Sequence, residues 1–161
     1  MKRGIWLGLV LGLMVLGAAS VCSAQGGPVL EKIWAPAEVN HGQLLKIYIK
    51  ASDPEGDIRW VYVTGGRGKQ TYMGAPTRIK KEFGKDLNGY VWWDTKQAAM
   101  KDVTGTVEVT VEDWKGNESE AKSATVKIVA KGAKAEKAPG DFKDVNLGPV
   151  MVQGLSSTMA P

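Results

Sequence analysis

Cysteine and histidine are nearly missing from this sequence, which contains one residue of each. The single imidazole, His41, has no Ser, Cys or Asp at a spacing that would give a catalytic triad. The glycine patterns of nucleotide-binding loops and the motifs of zinc proteases and serine hydrolases are also lacking. With 161 residues the chain is too short for a TIM barrel of about 250 residues. These absences predict that the protein is not an enzyme.

The first residues have the pattern of an export signal. Lys2 and Arg3 precede an uncharged apolar run over residues 5–16, and Cys22 and Ala24 are the small residues that signal peptidase requires. The run is shorter than the roughly 20 residues of a membrane-spanning helix. We therefore predict a signal peptide over residues 1–24, no transmembrane anchor, and a periplasmic or extracellular protein. A lipid anchor at Cys22 is the alternative, which Val21 disfavours because small residues usually precede a lipidated Cys.

Removal of this segment would leave a mature chain without cysteine. Such a protein is disulfide-free and is stabilised by packing alone. The formal net charge of +4 would fall to +2 with the loss of Lys2 and Arg3. A charge this close to neutral gives no reason to expect a nucleic-acid partner.

The mature chain alternates apolar and polar residues in short runs that are separated by turn residues. Leu45, Ile47 and Ile49 alternate with polar neighbours, as do Val107, Val109 and Val111, and this is the pattern of strands with one buried face. The predicted strands are 29–34, 44–51, 58–64, 69–73, 77–83, 89–94, 106–113 and 123–129. A short helical turn is predicted over 96–102. This spacing predicts an all-β domain over residues 25–130, folded as an antiparallel β-sandwich of seven to eight strands.

Three segments resemble a known family. They are residues 51–58 (ASDPEGDI), 107–119 (VEVTVEDWKGNES) and 124–128 (ATVKI). They are similar to the bacterial immunoglobulin-like (fibronectin III-like) domains, which carry an A-x-D turn before the third strand and a V-x-D-x-x-G-N-x-S hairpin between the last two. The resemblance covers about 100 residues and implies an immunoglobulin-like sandwich. It leaves function open, because such domains serve as adhesins, spacers, sugar-binding appendages and assembly subunits.

The composition changes after Ala130. Residues 131–140 (KGAKAEKAPG) have no periodic apolar face, which is typical of a solvated linker. Residues 141–161 regain some apolar content, and we predict a linker and mostly disordered, flexible tail over 131–161. The alternative is a segment that adds as a strand to the sheet edge of a partner, although Pro149 lacks the donor that a ladder needs.

Acidic residues suggest a possible cation site. Asp53, Glu55 and Asp57 lie in one predicted turn, and the loops of an immunoglobulin-like sandwich would bring Asp113 and Asn117 to the same end. Calcium binds six to eight such oxygen ligands. The sequence requires no cofactor, and these acidic residues make calcium the candidate ligand. Alternatively, these side chains only hydrogen-bond to turn backbones.

Aromatic residues give candidate contact sites. If Val61 and Val63 face the core, Trp60 and Tyr62 face outward, where they could stack on a sugar or dock on a protein. A second aromatic face could combine Tyr48 with Trp93. Alternatively, residues 60 and 62 of the third predicted strand face the core, and Trp60 is then the buried core tryptophan that immunoglobulin domains often have.

Basic residues are concentrated between residues 65 and 87. They are Arg67, Lys69, Arg78, Lys80, Lys81 and Lys85. Such a cluster could contact an anionic polysaccharide or a membrane surface. Lysines on edge strands also serve to discourage sheet-to-sheet aggregation.

Together these features predict a non-catalytic binding or structural module of the bacterial envelope or cell surface that acts through protein–protein contact. The first alternative is a carbohydrate-binding or calcium-dependent recognition module. The second is a subunit of a surface fibre that donates its C-terminal tail as a strand.

Overall fold

The computed structural model describes residues 26–67, 70–97 and 102–152, and in these ranges the protein is almost entirely β. The exceptions are two short 3₁₀ helices at Lys81–Phe83 and Thr95–Gln97. The strands are β1 (Val29–Trp34), β2 (Glu38–Asn40), β3 (Leu44–Ser52), β4 (Ile58–Arg67), β5 (Gln70–Ala75), β6 (Thr77–Arg78), β7 (Asp86–Asp94), β8 (Val103–Asp113), β9 (Lys122–Val129), β10 (Asn146–Pro149) and β11 (Met151–Val152). The predicted signal peptide with Cys22, the basic residue Lys69, residues 98–101 of the predicted helical turn and residues 153–161 lie outside the described ranges.

The strands form two sheets. The small sheet has the order β1-β3-β7-β10, and the large sheet has the order β11-β5-β4-β8-β9-β2, with β6 also beside β4. Most neighbours are antiparallel, as predicted, and the immunoglobulin-like sandwich is confirmed. Two parallel pairs, β2 with β9 and β10 with β7, are additions at the sheet edges.

The core lies between the two sheets and is filled by alternate residues of the long strands. In β3, Leu45, Ile47 and Ile49 are buried, and in β8 the buried residues are Val107, Val109 and Val111. Both sets confirm the faces predicted from alternation. Burial of a Val, Leu or Ile side chain contributes about 1.5–3 kcal/mol, so these strands provide much of the stability that a disulfide-free domain needs.

The segment predicted as one strand over 77–83 is different in the structure. Only Thr77–Arg78 pairs with β4. The chain then turns through the 3₁₀ helix, where the amides of Phe83 and Gly84 donate to the carbonyls of Lys80 and Lys81. Within the described ranges, no helix is long and apolar enough to cross a membrane.

The C-terminal segment was expected to be a flexible tail, and for residues 141–152 the structure shows otherwise. We call these residues the C-terminal strap. It crosses the outer face of the small sheet, adds β10 beside β7 and adds β11 beside β5 of the large sheet. Leu147 and Val150 are buried in the common core. The expectation was wrong here because the apolar side chains of the strap fill the open edge of this same sandwich. Pro149 was expected to break a ladder, but it pairs with Trp92 as the last residue of β10, and the amide of Val150 still donates to the Trp92 carbonyl.

Candidate functional site

The turn between β3 and β4 gathers three carboxylates, Asp53, Glu55 and Asp57, which we call the acidic corner. Asp53 is 1% exposed, and its Oδ1 accepts hydrogen bonds from the amides of Glu55 (2.7 Å) and Gly56 (3.2 Å). This is an Asx turn, and Gly56 takes the positive φ of 76° that closes it. One carboxylate oxygen of each residue lies within 4.8 Å of the others. The local turn chemistry therefore collects three negative charges.

The hairpin between β8 and β9 lies against this corner, as the sandwich topology predicts. The amide of Trp114 donates to the carbonyl of Asp57 (3.2 Å) and joins the two loops. Asp113 is buried, and its Oδ1 accepts from the amides of Lys115 and Asn117 while its Oδ2 accepts from the Asn117 side chain. Asp113 and Asn117 thus hydrogen-bond to each other and to their own turn.

The electrostatics of the two loops differ. Burial raises the pKa of Asp57, and the neighbouring charges of Asp53 and Asp113 raise it further. Burial also acts to raise the pKa of Asp113, but the hydrogen bonds donated by Asn117, by its side chain first, outweigh burial and lower it. Lys115 forms an ion pair with Glu55. The corner therefore gathers three carboxyl groups, of which Lys115 pairs with Glu55.

Two aromatic side chains of β4 face outward on the large sheet. Val61 and Val63 are buried, so Trp60 and Tyr62 point to the opposite face. Of the two orientations predicted for this strand, the structure has the one with Trp60 outside the core. The phenol of Tyr62 donates to Glu112 Oε2 at 2.8 Å. This hydrogen bond, together with burial, raises the pKa of Tyr62.

Sequence reasoning missed two further residues of this face. The pairing of β4 with β8 shifts register between Ile58 and Trp60, and the extra residue is Arg59. The Cζ atom of Arg59 lies 4.0 Å from the ring centre of Trp114 and 5.0 Å from that of Trp60. Trp114 is 57% exposed. The sequence could have indicated both residues, because Arg59 directly precedes the candidate Trp60 and Trp114 directly follows the candidate Asp113. We call Arg59, Trp60, Tyr62 and Trp114 the aromatic patch.

The second predicted aromatic face does not exist. Tyr48 is opposite Tyr90 on the outer face of the small sheet, whereas Trp93 is opposite Leu45 on its inner face and packs against the core. Successive residues alternate between faces, and 48 and 93 fall on opposite sides. Tyr48 is also buried, since the Phe142 ring of the strap lies edge-on to it with centroids 6.0 Å apart.

The basic residues do not form one surface. Arg78 is paired with Trp60 near the start of β4, whereas Arg67 is the last residue of that strand. Seven residues of strand separate these positions by about 23 Å. Lys80, Lys81 and Lys85 are exposed around the 3₁₀ helix, close in sequence to Arg78. Arg67 therefore lies well away from the other described basic residues.

No protein-family model and no curated protein matches this chain. Among solved structures, it is similar to the PKD domain of an M14-like peptidase from Thermoplasmatales archaeon SCGC AB-540-F20. The sequences are 21% identical, the match covers 66% of this chain and 99% of the other, and the TM-score is 0.45. The strand pairings described above define the protein as an immunoglobulin-like β-sandwich domain.

Proposed function

We propose that this protein is an exported, non-catalytic binding module of the bacterial envelope or cell surface, and that the aromatic patch is its protein-contact surface. The export part rests on the charged, apolar and small-residue segments of residues 1–24. The contact part rests on one observation, the stacking of Arg59 between Trp60 and the exposed Trp114.

The composition of this patch favours a protein partner. Trp, Tyr and Arg are the residues most enriched among those that dominate the energy of protein interfaces. The stacking holds the Arg59 guanidinium against two ring faces, so little side-chain entropy remains to be lost on binding. Tyr62 is likewise held by Glu112. A preformed patch of this kind supports recognition by surface contact.

Site-specific photocrosslinking in intact cells that produce the protein tests this proposal. A photoreactive phenylalanine derivative is placed at Glu118, an exposed position bridged to Glu112 beside Tyr62, so that the patch itself stays intact. The matched control carries it at Val29, which is 56% exposed on the small sheet. We expect one protein adduct from position 118 and none from position 29. The adduct should be lost when Arg59→Ala or Trp60→Ala is added. Equal adducts at both positions, or none at 118, would refute the aromatic patch as the contact surface.

A cleft favours carbohydrate binding as the second candidate. A cleft of about 230 Å³ separates residues 133–136 from the small sheet. Its lining includes Trp34, which is half-buried, together with Asn40, Gln43 and Lys46. An aromatic ring offers an apolar face to a sugar, and amides and an ammonium group suit its hydroxyls. A glycan array probed with the protein and with Trp34→Ala tests it, and signals that do not depend on Trp34 would count against this cleft.

A further inference from the structure

Two buried carboxylate oxygens of the acidic corner receive no hydrogen bond from an N–H or hydroxyl donor in the described part of the chain, and the two carboxyl groups face each other. The two oxygens are Oδ2 of Asp53 and Oδ1 of Asp57. The backbone of the Asx turn engages the other oxygen of Asp53, so this residue cannot rotate away without losing two hydrogen bonds. A buried anionic oxygen without a partner is costly, and native proteins normally satisfy it with a donor or a cation.

The spacing of the oxygens fits a calcium ion. Two oxygens that each lie about 2.3–2.6 Å from a calcium ion are at most about 5 Å apart. One carboxylate oxygen from each of Asp53, Glu55 and Asp57 lies within 4.8 Å of the others. Calcium accepts irregular sets of carboxylate and water oxygens, whereas magnesium requires near-octahedral geometry at about 2.0–2.1 Å. Calcium is therefore the ion to test at this corner.

We infer that Asp53, Glu55 and Asp57 bind a calcium ion, through Oδ2 of Asp53, Oδ1 of Asp57 and the carboxylate of Glu55. The remaining ligand positions would be filled by water, which the exposed side of Glu55 admits. We do not count Asp113 and Asn117 among the ligands, because both oxygens of Asp113 already accept hydrogen bonds within the hairpin and the Asn117 side chain donates one of them. They position the hairpin against the corner. The inference does not depend on the proposed contact surface.

The ammonium group of Lys115 competes with calcium for the carboxylate of Glu55. Its ammonium group is paired with Glu55, and its side chain is 42% exposed. Calcium at the corner would displace this ammonium group, and the long side chain can extend into water. Lys115→Gln should therefore bind calcium more tightly than the natural sequence, by about threefold to tenfold, since it removes one competing charge near the ion.

Terbium luminescence and thermal melting of the purified protein test the site. Trp114 follows Asp113 and adjoins the corner, so a lanthanide bound there is placed to accept energy from its indole. We expect sensitised terbium emission that calcium displaces. At calcium concentrations about tenfold above the dissociation constant, the melting temperature should rise by about 5 °C, and magnesium at the same concentration should have little effect.

Asp53→Asn is the decisive variant, because its side-chain oxygen can keep both hydrogen bonds of the Asx turn. Its amide group can also donate to Asp57, so this variant should fold and melt at or above the temperature of the metal-free natural protein. It should show no terbium emission and no calcium shift. Glu120→Gln, an exposed change in the neighbouring hairpin, is the control and should retain both. An unchanged melting temperature of the natural protein in calcium, or a full calcium response in Asp53→Asn, would overturn the inference.

Discussion

The phenol of Tyr48 donates a hydrogen bond of 2.7 Å to Oδ1 of Asp144, which lies 96 residues later in the chain. The same oxygen accepts from the ammonium group of Lys46 at 2.8 Å. These contacts fix the C-terminal strap to the outer face of the small sheet just before β10 begins. The position of β10 beside β7 is therefore set partly by one carboxylate.

Asp144→Asn should reduce the dependence of stability on acidic pH. The hydrogen bonds from Lys46 and then Tyr48 lower the pKa of Asp144 in the folded protein. A lowered folded pKa means that the carboxylate stabilises the fold above its unfolded pKa of about 3.9, and that this contribution is lost as pH falls through the folded value. Melting temperatures between pH 2 and 7 measure it.

The two proteins should differ most near pH 7, and the difference should shrink as pH falls below the unfolded pKa of about 3.9 and through the lowered folded pKa of Asp144. Because the Asp144 side chain is exposed, the difference should also shrink in high salt. Asp86→Asn, an exposed change on the same sheet, is the control. A constant gap between Asp144→Asn and the natural protein across this pH range would contradict the assignment.

Leu147→Ala should destabilise the whole domain. Leu147 is buried in the core although it belongs to the last described part of the chain. Truncation of a buried leucine costs about 2–5 kcal/mol. Met151→Ala is the matched control, since Met151 is 59% exposed and its loss should cost less than about 0.5 kcal/mol. Urea unfolding measures both, and equal midpoints would show that the strap adds nothing to the core.

Gly89→Ala should loosen the attachment of the strap. A Cβ at position 89 would lie 2.5 Å from the carbonyl oxygen of Val145 and 2.9 Å from Leu147. Because the clash is with the strap, β10 should move away from β7 and the linker over 131–140 should be cut faster by protease. Gly140→Ala has nothing within 4 Å and serves as control. An unchanged cleavage rate for Gly89→Ala would show that the strap accommodates the methyl group.

Alternation along single strands explains how much of this structure could be predicted. The buried set of Leu45, Ile47 and Ile49 follows from a period of two residues, and so does the outward direction of Trp60 once Val61 is assigned to the core. The sandwich followed from eight such runs and their turn residues. These features depend on neighbours within a few positions, which the sequence displays directly.

Contacts between distant segments could not be predicted. Phe142, Leu147 and Val150 have no regular period, and their partners lie more than 50 residues earlier, so the strap resembled a tail. The acidic corner was foreseen as a cluster because the three carboxylates are close in sequence. Both oxygens of Asp113 accept hydrogen bonds from its own hairpin. This depends on the local path of the turn, which the order of residues in the sequence does not reveal.

Asp113→Ala should cost more stability than the loss of one surface charge would. The change removes the acceptor of three hydrogen bonds, from the amides of Lys115 and Asn117 and from the Asn117 side chain. The donors lie on exposed turn residues that water can reach, so each lost hydrogen bond should cost about 0.5–1.5 kcal/mol, and we expect a total loss of about 2–4 kcal/mol in urea unfolding without calcium. Asp94 caps a comparable turn by accepting from the amide of Lys96, but at an exposed position.

Asp94→Ala is therefore the matched control and should cost about 1 kcal/mol or less. Asp113→Asn keeps an oxygen for the two backbone amides and should fall between these values. The expected order of the three variants follows from two differences between the turns, since Asp113 is buried and accepts three hydrogen bonds whereas Asp94 is less buried and accepts one. If Asp113→Ala were no more destabilising than Asp94→Ala, the buried carboxylate would not be what holds the β8–β9 hairpin against the acidic corner.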